Sequence, residues 1–269
     1  MNVIKYQSTG NDFILFKGPI KNPSKFAMQV CDRHFGIGAD GILFSTASKV
    51  ADIKMNYYNA DGSIAPMCGN GLRAFAHFVT TQGLIKKSKF VVETLAGLMK
   101  VKKVNATTFA LDLGVANYAL STPNLKEKTT KLTKLSLKVE GKNYQLIPLF
   151  LGTLHGIVIV KDVSKIDVLN LGDKLCHHPM FPKYINVNFV EVVNKNFIKV
   201  KTYERGVGPT LSCGTGVSSS VNVTSALGLT TNNVKVEVPG GELNVAVNAT
   251  TILTGPTKVI AKIDFIGGK

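Results

Sequence analysis

The sequence predicts an α+β protein of two pseudo-symmetric domains, each a curled, mostly antiparallel sheet around one central helix. Two observations indicate this fold class. Segments with strand-like alternation and β-branched residues outnumber helix-like segments. The second half of the chain also repeats the first at nearly one offset. A chain of 269 residues is long enough for two medium domains.

The repeat is clearest in two aligned segments that need no gap. Residues 53–75 read IKMNYYNADGSIAPMCGNGLRAF, and residues 198–220 read IKVKTYERGVGPTLSCGTGVSSS. The offset is 145 residues, the separation of Cys68 and Cys213. Other segments recur in the same order at 144 or 145 residues. We therefore expect one domain at 1–115, completed by the last strand at about 258–269, and a second domain at 116–257.

Hydrophobic periodicity assigns the elements in chain order. Helix-like runs lie at 23–34, 71–82, 166–177 and 216–227. The first residues read as a strand, and further strand-like runs lie at 12–16, 52–58, 90–94, 99–104, 109–113, 156–160, 187–193, 197–203, 234–238 and 259–265. The lysine- and threonine-rich stretch 121–134 is expected near the domain junction.

Composition restricts the class of protein. The net charge is +15, but the lysines are scattered and not interleaved with aromatic residues. This pattern favours a solvated surface over a nucleic-acid-binding one. No apolar run approaches the length of a membrane span, and the first residues do not resemble a signal peptide. We therefore expect a cytoplasmic protein that acts on a small molecule, with no nucleic-acid or membrane partner.

The four cysteines are far apart in sequence, so zinc-type spacing is absent and no metal site is expected. In a reducing compartment they should be free thiols. Cys31 and Cys176 are interpreted as small buried hydrophobic residues. Cys68 and Cys213 differ because each begins a Cys-Gly-x-Gly motif ahead of a helix-like run.

The Cys-Gly-x-Gly motif suits acid–base chemistry. We expect its glycines to provide a tight turn and a close backbone approach to a ligand. The helix start would offer N–H groups and a positive dipole end, which bind carboxylates and favour a thiolate. Two such sites match stereoinversion at an α-carbon, where one thiolate removes the proton and one thiol returns a proton from the opposite face. Preorganised N–H donors would stabilise the carbanion, so no cofactor is expected.

Seven segments carry a family resemblance: GNDF at 10–13, DRHFGIGADG at 32–41, NADGS at 59–63, MCGNGLR at 67–73, NVNF at 186–189, YERG at 203–206 and SCGTG at 212–216. Through them the chain resembles the diaminopimelate epimerase family over nearly its full length. This resemblance implies two similar domains with the active site in the cleft between them, and interconversion of LL- and meso-2,6-diaminopimelate by two cysteines without a cofactor. It also implies a homodimer.

The resemblance assigns roles by position. Cys68 and Cys213 match the base and acid, and Glu204 and His155 match positions near the reacting centre. His155 is alternatively the end of a turn before a strand, and Asn59 a turn residue before Asp61. Residues that match substrate binders are Asn11, Asn59, Gly69, Asn70, Thr153, Asn186, Glu204, Arg205, Gly214 and Thr215.

One departure from the family leaves the substrate open. The family usually carries Asn-Pro-His where this chain has Thr153, Leu154 and His155. A related cofactor-independent racemase with another substrate, such as histidine, is the alternative. Retention of Arg205, Glu204 and Asn186 favours diaminopimelate, because an imidazole would not use a carboxylate clamp. A non-catalytic binding protein or another isomerase of the same fold, and a nucleic-acid-binding module, are further alternatives.

Overall fold

The computed structural model describes residues 1–121 and 125–267, so part of the predicted junction stretch and the last two residues of the predicted final strand lie outside the described residues. The chain forms two compact units, Met1–Asp112 with Thr254–Lys269, and Leu113–Leu253. The described residues form strands and four α-helices, which confirms the predicted α+β class. None of the helices in the described ranges is long and apolar enough to cross a membrane.

The first unit begins with seven strands and two helices. Strands β1 to β7 span Asn2–Ser8, Asn11–Lys17, Gly41–Thr46, Ile53–Asn59, Lys89–Thr94, Gly97–Lys103 and Thr108–Asp112. Helix α1 spans Pro23–Val30 and helix α2 spans Gly69–Thr81.

The second unit follows the same plan. Helix α3 spans Val168–Cys176 and helix α4 spans Gly214–Ala226, with a short 3₁₀ helix at Val163–Lys165. Strands β8 to β15 span Leu135–Val139, Lys142–Leu151, Thr153–Val160, Asn186–Asn194, Phe197–Glu204, Gly208–Thr210, Asn233–Val238 and Gly241–Val247. Strand β16 (Thr251–Pro256) begins in the second unit and ends in the first, which resumes at Thr254. The last strand, β17 (Lys258–Asp264), returns to the first unit and pairs with β1.

Strand pairing shows the internal repeat directly. In the first unit β1–β2 is antiparallel, β2–β3 parallel, β3–β4 antiparallel, β4–β5 parallel and β5–β6 antiparallel. In the second unit β9–β10, β10–β11, β11–β12, β12–β14 and β14–β15 follow the same alternation. Both parallel steps enclose a helix, α1 and α2 in one unit and α3 and α4 in the other. The predicted repeat is therefore a repeat of topology.

Each unit buries its second helix most deeply. In α2 every residue from Gly69 to Val79 is buried, and in α4 every residue from Gly214 to Thr224 is buried except Thr215. The central strands are apolar on both faces because helices cover both sides. Ile14 packs in the same cluster as Val30 of α1, while an added Cβ on Gly71 of α2 would contact the ring of Phe13. As predicted, Cys31 and Cys176 are buried.

The positions of the two long helices correct one expectation. Both begin two residues earlier than predicted, directly after Cys68 and Cys213, which are the N-cap residues. Gly69 and Gly71 therefore lie inside the first turn and do not make a tight turn before the helix. At position 216 only glycine fits without displacing a neighbouring side chain. A Cβ on Gly216 would lie 2.2 Å from Oδ1 of Asn188.

Candidate active site

Cys68 and Cys213 occupy equivalent positions at the starts of two helices of 13 residues each. Their backbones are extended, with φ/ψ of −136°/126° at Cys68 and −114°/108° at Cys213. Extended backbone is normal for a residue that precedes the first helical turn. The sulfur of each therefore lies beside helix N–H groups and the positive end of the helix dipole. At Cys68 the N–H of Gly71 donates to Sγ across 3.5 Å.

Amide side chains surround Cys68 within the first unit. The Cys68 thiol donates to Oδ1 of Asn11 at 3.7 Å, and Nδ2 of Asn70 donates to the same oxygen at 3.3 Å. Nδ2 of Asn11 donates to the carboxylate of Asp40, which fixes the orientation of the Asn11 amide. The predicted residues Asn11, Gly69 and Asn70 thus lie around Cys68.

Asn59 lies at the end of β4, where the chain turns. Its Nδ2 donates to Oγ of Ser63 at 2.9 Å, and its backbone N–H donates to the Ser63 carbonyl at 2.9 Å. Ser63 also donates to Asp61. These bonds agree with the alternative that Asn59 is a turn residue before Asp61. The substrate-binding role of Asn59 stays a prediction.

Cys213 lies in a different electrostatic environment. It is 7% exposed, and Oγ1 of Thr215 lies 3.5 Å from its sulfur. Burial raises the pKa of the Cys213 thiol well above its ordinary value, and the charge of Glu204 raises it further, against the Thr215 hydroxyl and the Gly216 N–H. Burial also raises the pKa of Glu204, although Thr210 donates to its carboxylate at 2.7 Å. This environment favours a protonated thiol.

A chain of hydrogen bonds leads from the interior of the second unit to Cys213. Oγ1 of Thr202 donates to Oδ1 of Asn188 at 2.9 Å, so Nδ2 of Asn188 faces Nδ1 of His155 at 3.1 Å. Because Nδ2 is a donor, Nδ1 must accept, and the neutral imidazole carries its proton on Nε2. Nε2 lies 3.0 Å from Oγ1 of Thr215. With its oxygen accepting from His155, Thr215 can direct its own proton at Cys213.

His155 is completely buried, and burial lowers its pKa to about 3, with a further contribution from the charge of Arg205. It therefore stays neutral at physiological pH. Its ring contacts Thr215, which in turn contacts Cys213. The structure thus places the predicted residues His155, Glu204, Gly214 and Thr215 together around Cys213.

Asn186 connects Leu154 with Arg205. Its Nδ2 donates to the Leu154 carbonyl at 3.1 Å, and its Oδ1 accepts from the backbone N–H of Arg205 at 2.8 Å. The exposed Arg205 guanidinium donates to the carbonyl of Lys183 at 3.0 Å. Thr153 is the first residue of β10. Asn186 therefore positions the segment that carries Arg205, and the carboxylate clamp stays a prediction.

Sequence reasoning did not identify Asn188, Thr202, Thr9 or Arg73 as part of the site. Asn188 and Arg73 are fully buried polar residues, each between two buried apolar neighbours in sequence. That mismatch was visible in the sequence as a polar residue at a core position of a strand or helix. The groups of three or more metal-binding side chains that would indicate a metal centre are not found among the described residues.

Comparison with known proteins agrees with the sequence motifs. The family described as diaminopimelate epimerase matches residues 3–119 and 150–260. The diaminopimelate epimerase of Alkaliphilus metalliredigens is 38% identical over 268 residues, covering 96% of this chain and 95% of the relative. The diaminopimelate epimerase of Caldanaerobacter subterraneus subsp. tengcongensis is 40% identical over 250 residues, covering 91% of each chain.

Solved structures show the same fold at much lower identity. A hydroxyproline epimerase from Agrobacterium vitis, with bound trans-4-hydroxy-L-proline, superposes with a TM-score of 0.66 at 14% identity. The match covers 98% of this chain and 90% of that one. This likeness establishes the two-domain fold.

Proposed function

The chain belongs to the diaminopimelate epimerase family, and we propose that it is an isomerase that interconverts LL- and meso-2,6-diaminopimelate without a cofactor. The observation that carries the proposal is the matched placement of Cys68 and Cys213, each at the N-cap of a buried helix of 13 residues. Relatives named diaminopimelate epimerase are 38% and 40% identical over most of the chain. The names of these two relatives support diaminopimelate over histidine as the substrate.

The proposed reaction needs two thiols in opposite protonation states. A thiolate removes the α-proton of one stereocentre and becomes a thiol, while the other thiol delivers its proton to the opposite face and becomes a thiolate. The proton count is unchanged, and the configuration at that carbon is inverted. Helix N–H groups at Gly69 and Asn70 and at Gly214 and Thr215 would hold the α-carboxylate and stabilise the carbanion.

The remaining predicted residues are proposed to hold the rest of the substrate. Arg205 would bind the distal carboxylate through two parallel N–H donors. Asn186 would position Arg205 through the backbone bond already described, and Asn11 and Asn59 would contact substrate amino or carboxylate groups. Thr153 would offer one hydroxyl to the distal end, where the family usually has asparagine.

The test is α-proton exchange in D₂O followed by NMR with purified, reduced protein. LL-diaminopimelate, L-histidine and a panel of other amino acids are compared, with Cys68→Ala and Cys213→Ala as matched controls. We expect deuterium uptake and inversion in diaminopimelate alone, and no inversion in either variant. Exchange in histidine with diaminopimelate inert would overturn the substrate. Near-full activity in a single alanine variant would overturn the two-thiol mechanism.

We further infer a homodimer from family resemblance. From the sequence pattern and the scattered lysines we infer a cytoplasmic protein that does not bind nucleic acid. Light scattering of the purified protein checks the dimer, and fractionation of the source cells checks the location. A gel shift with duplex DNA and with RNA at moderate salt tests nucleic-acid binding. The proposal predicts no shift despite the net charge of +15.

A further inference from the structure

We propose that the buried guanidinium of Arg73 holds Cys68 as the thiolate in the resting enzyme, so that Cys68 starts as the base and Cys213 starts as the acid. The inference rests on the proposed two-thiol function and adds to it the starting protonation state. It also assigns to Arg73 the part of a positioning residue that acts through its charge on Cys68.

Arg73 is an unusual residue for the interior of a helix. Its side chain is 0% exposed. Nη2 donates to Oδ1 of Asn70 at 2.8 Å and to Oγ1 of Thr9 at 3.2 Å, so the guanidinium runs back toward the start of α2. Nε and Nη1 have no hydrogen-bond partner among the described residues. A buried cation with incomplete hydrogen bonding is costly unless an anion lies near it.

The backbone beneath Arg73 is held in a strained conformation. Thr9 has φ +48°, in the left-handed region that a β-branched residue rarely adopts. It is buried, and its hydroxyl accepts from Arg73. The same turn places Asn11 beside Cys68. Strain of this kind is retained where surrounding contacts fix a functional geometry.

In this proposal the missing anion is the thiolate of Cys68, the N-cap residue of the same helix. Asn70 accepts from Arg73 and donates to the Asn11 oxygen that also contacts the Cys68 sulfur. Burial lowers the pKa of Arg73 to about 10, and the negative charge of Cys68 acts in the opposite direction. Arg73 thus stays charged at neutral pH, and by reciprocity its charge favours the Cys68 thiolate. A Cys68 thiolate would keep the Gly71 N–H donor and would lose the 3.7 Å contact in which the thiol donates to Asn11.

Other ionisable groups near α2 are engaged elsewhere. Asp12 pairs with Lys5 at 2.9 Å and with Arg33 at 2.9 Å, and Arg33 also pairs with Asp40. Tyr6 and His77 pack edge to face, with Tyr6 bonded to Thr81 near the end of α2. Strand β3 carries no ionisable residue. The groups on the elements packed against α2 are Lys5 and Tyr6 on β1, Asp12 and Lys17 on β2, and Asp112 on β7, with His77 on α2 itself.

The internal repeat gives a built-in comparison. Ser218 stands in α4 where Arg73 stands in α2, and Glu204 stands where Asn59 stands. The second cysteine therefore has a nearby carboxylate and lacks the buried cation. The two cysteine sites share one topology, but the charged residue near Cys68 is a cation and the one near Cys213 is an anion. In the proposal the two thiols therefore hold one proton between them, and Cys213 carries it.

The experiment measures alkylation of each cysteine by iodoacetamide against pH, in substrate-free protein, by peptide mass spectrometry. Arg73→Gln keeps a hydrogen-bond donor but removes the charge, and Arg73→Lys keeps the charge. We expect Arg73→Gln to slow alkylation of Cys68 at pH 7 by about tenfold or more, the effect of one lost charged neighbour. Arg73→Lys should retain most of the reactivity. Ser218→Ala, the matched control, should change neither cysteine.

Two results would overturn the proposal. One is an unchanged Cys68 profile in Arg73→Gln. The other is equal slowing in Arg73→Gln and Arg73→Lys, which would indicate hydrogen-bond geometry instead of charge. Thermal melting shows that each variant is folded, and alkylation rates are compared well below each Tm, because removing one partner of a buried charge pair is itself destabilising. Since no substrate is used, failure of the proposed function would appear separately, as absent exchange in diaminopimelate.

Discussion

Nδ2 of Asn188 lies 3.1 Å from Nδ1 of His155, in the interior of the second unit. Because Thr202 occupies the carbonyl oxygen of Asn188, the amide can only donate to the ring. That donation sets the tautomer of His155 and hence the direction of the proton on Thr215. A residue that sequence reasoning did not select therefore controls the hydrogen bonding of Cys213.

Asn188→Asp should reverse this chain. A carboxylate only accepts, so Nδ1 must carry the proton, Nε2 must accept from Thr215, and Cys213 loses its hydroxyl donor. We expect kcat to fall about tenfold, equivalent to about 1.4 kcal/mol. Nitrogen NMR of the imidazole measures the tautomer alongside kcat. Thr202→Ser keeps the donor and should behave as the unaltered protein. An unchanged tautomer and kcat in Asn188→Asp would contradict the chain.

Gly216→Ala and Gly71→Ala form a matched pair at the two helix starts. The new Cβ at 216 would lie 2.2 Å from Oδ1 of Asn188, whose side chain is held by one hydrogen bond to Oδ1 and two from Nδ2. At 71 the nearest atoms lie 3.4 Å away. Gly216→Ala should lower the free energy of unfolding by about 1–3 kcal/mol. Gly71→Ala should cost less than about 1 kcal/mol, since alanine favours helix. Urea denaturation measures both, and equal losses would refute the steric argument.

The sequence predicted those parts of the fold that depend on local pattern. The repeat located α2 and α4 and their cysteines, because glycine and cysteine spacing survives where other residues differ. It placed both helix starts two residues late, because cysteine is an uncommon N-cap and glycine suggested a turn. Among the described residues, six strands were not predicted, namely β3, β8, β9, β13, β15 and β16. Strand β3 is a short apolar run without alternation, whereas β8 alternates and was overlooked.

In the candidate site, the motif residues could be predicted from the sequence but their buried hydrogen-bond partners could not. Cys68, Asn11 and Thr215 follow from motifs, but the partners of buried polar groups depend on sheet register. His155 and Asn188 are 33 residues apart and meet because β10 and β11 are parallel with His155 opposite Asn186. No local pattern encodes that register. The same holds for Arg73, whose contact with Thr9 depends on how α2 packs against β1.

Glu204→Gln should change stability in a pH-dependent manner. The folded-state pKa of Glu204 is raised, so its contribution to stability is present at low pH and is lost as pH rises through that pKa. Glutamine does not have to be charged in a buried site. The Tm of the variant should therefore exceed that of the unaltered protein at higher pH and approach it at low pH.

Two further measurements accompany this variant. Loss of the Glu204 charge should speed alkylation of Cys213, because that charge raises the pKa of the thiol. Cys68 serves as the internal control and should keep its rate. If the unaltered protein were more stable than Glu204→Gln at high pH, that result would contradict burial as the cause of the raised Glu204 pKa.

Thr153→Asn should restore the family's usual residue at the start of β10. The longer amide would reach farther than the hydroxyl toward the distal end of diaminopimelate, a part of the substrate that does not react. Binding there stabilises ground and transition states equally, so KM should fall about three- to tenfold while kcat stays unchanged. Steady-state kinetics with LL-diaminopimelate measures the change. Thr153→Ala, which removes the hydroxyl, should raise KM by a smaller factor. A change in kcat with constant KM would place residue 153 at the reacting carbon instead.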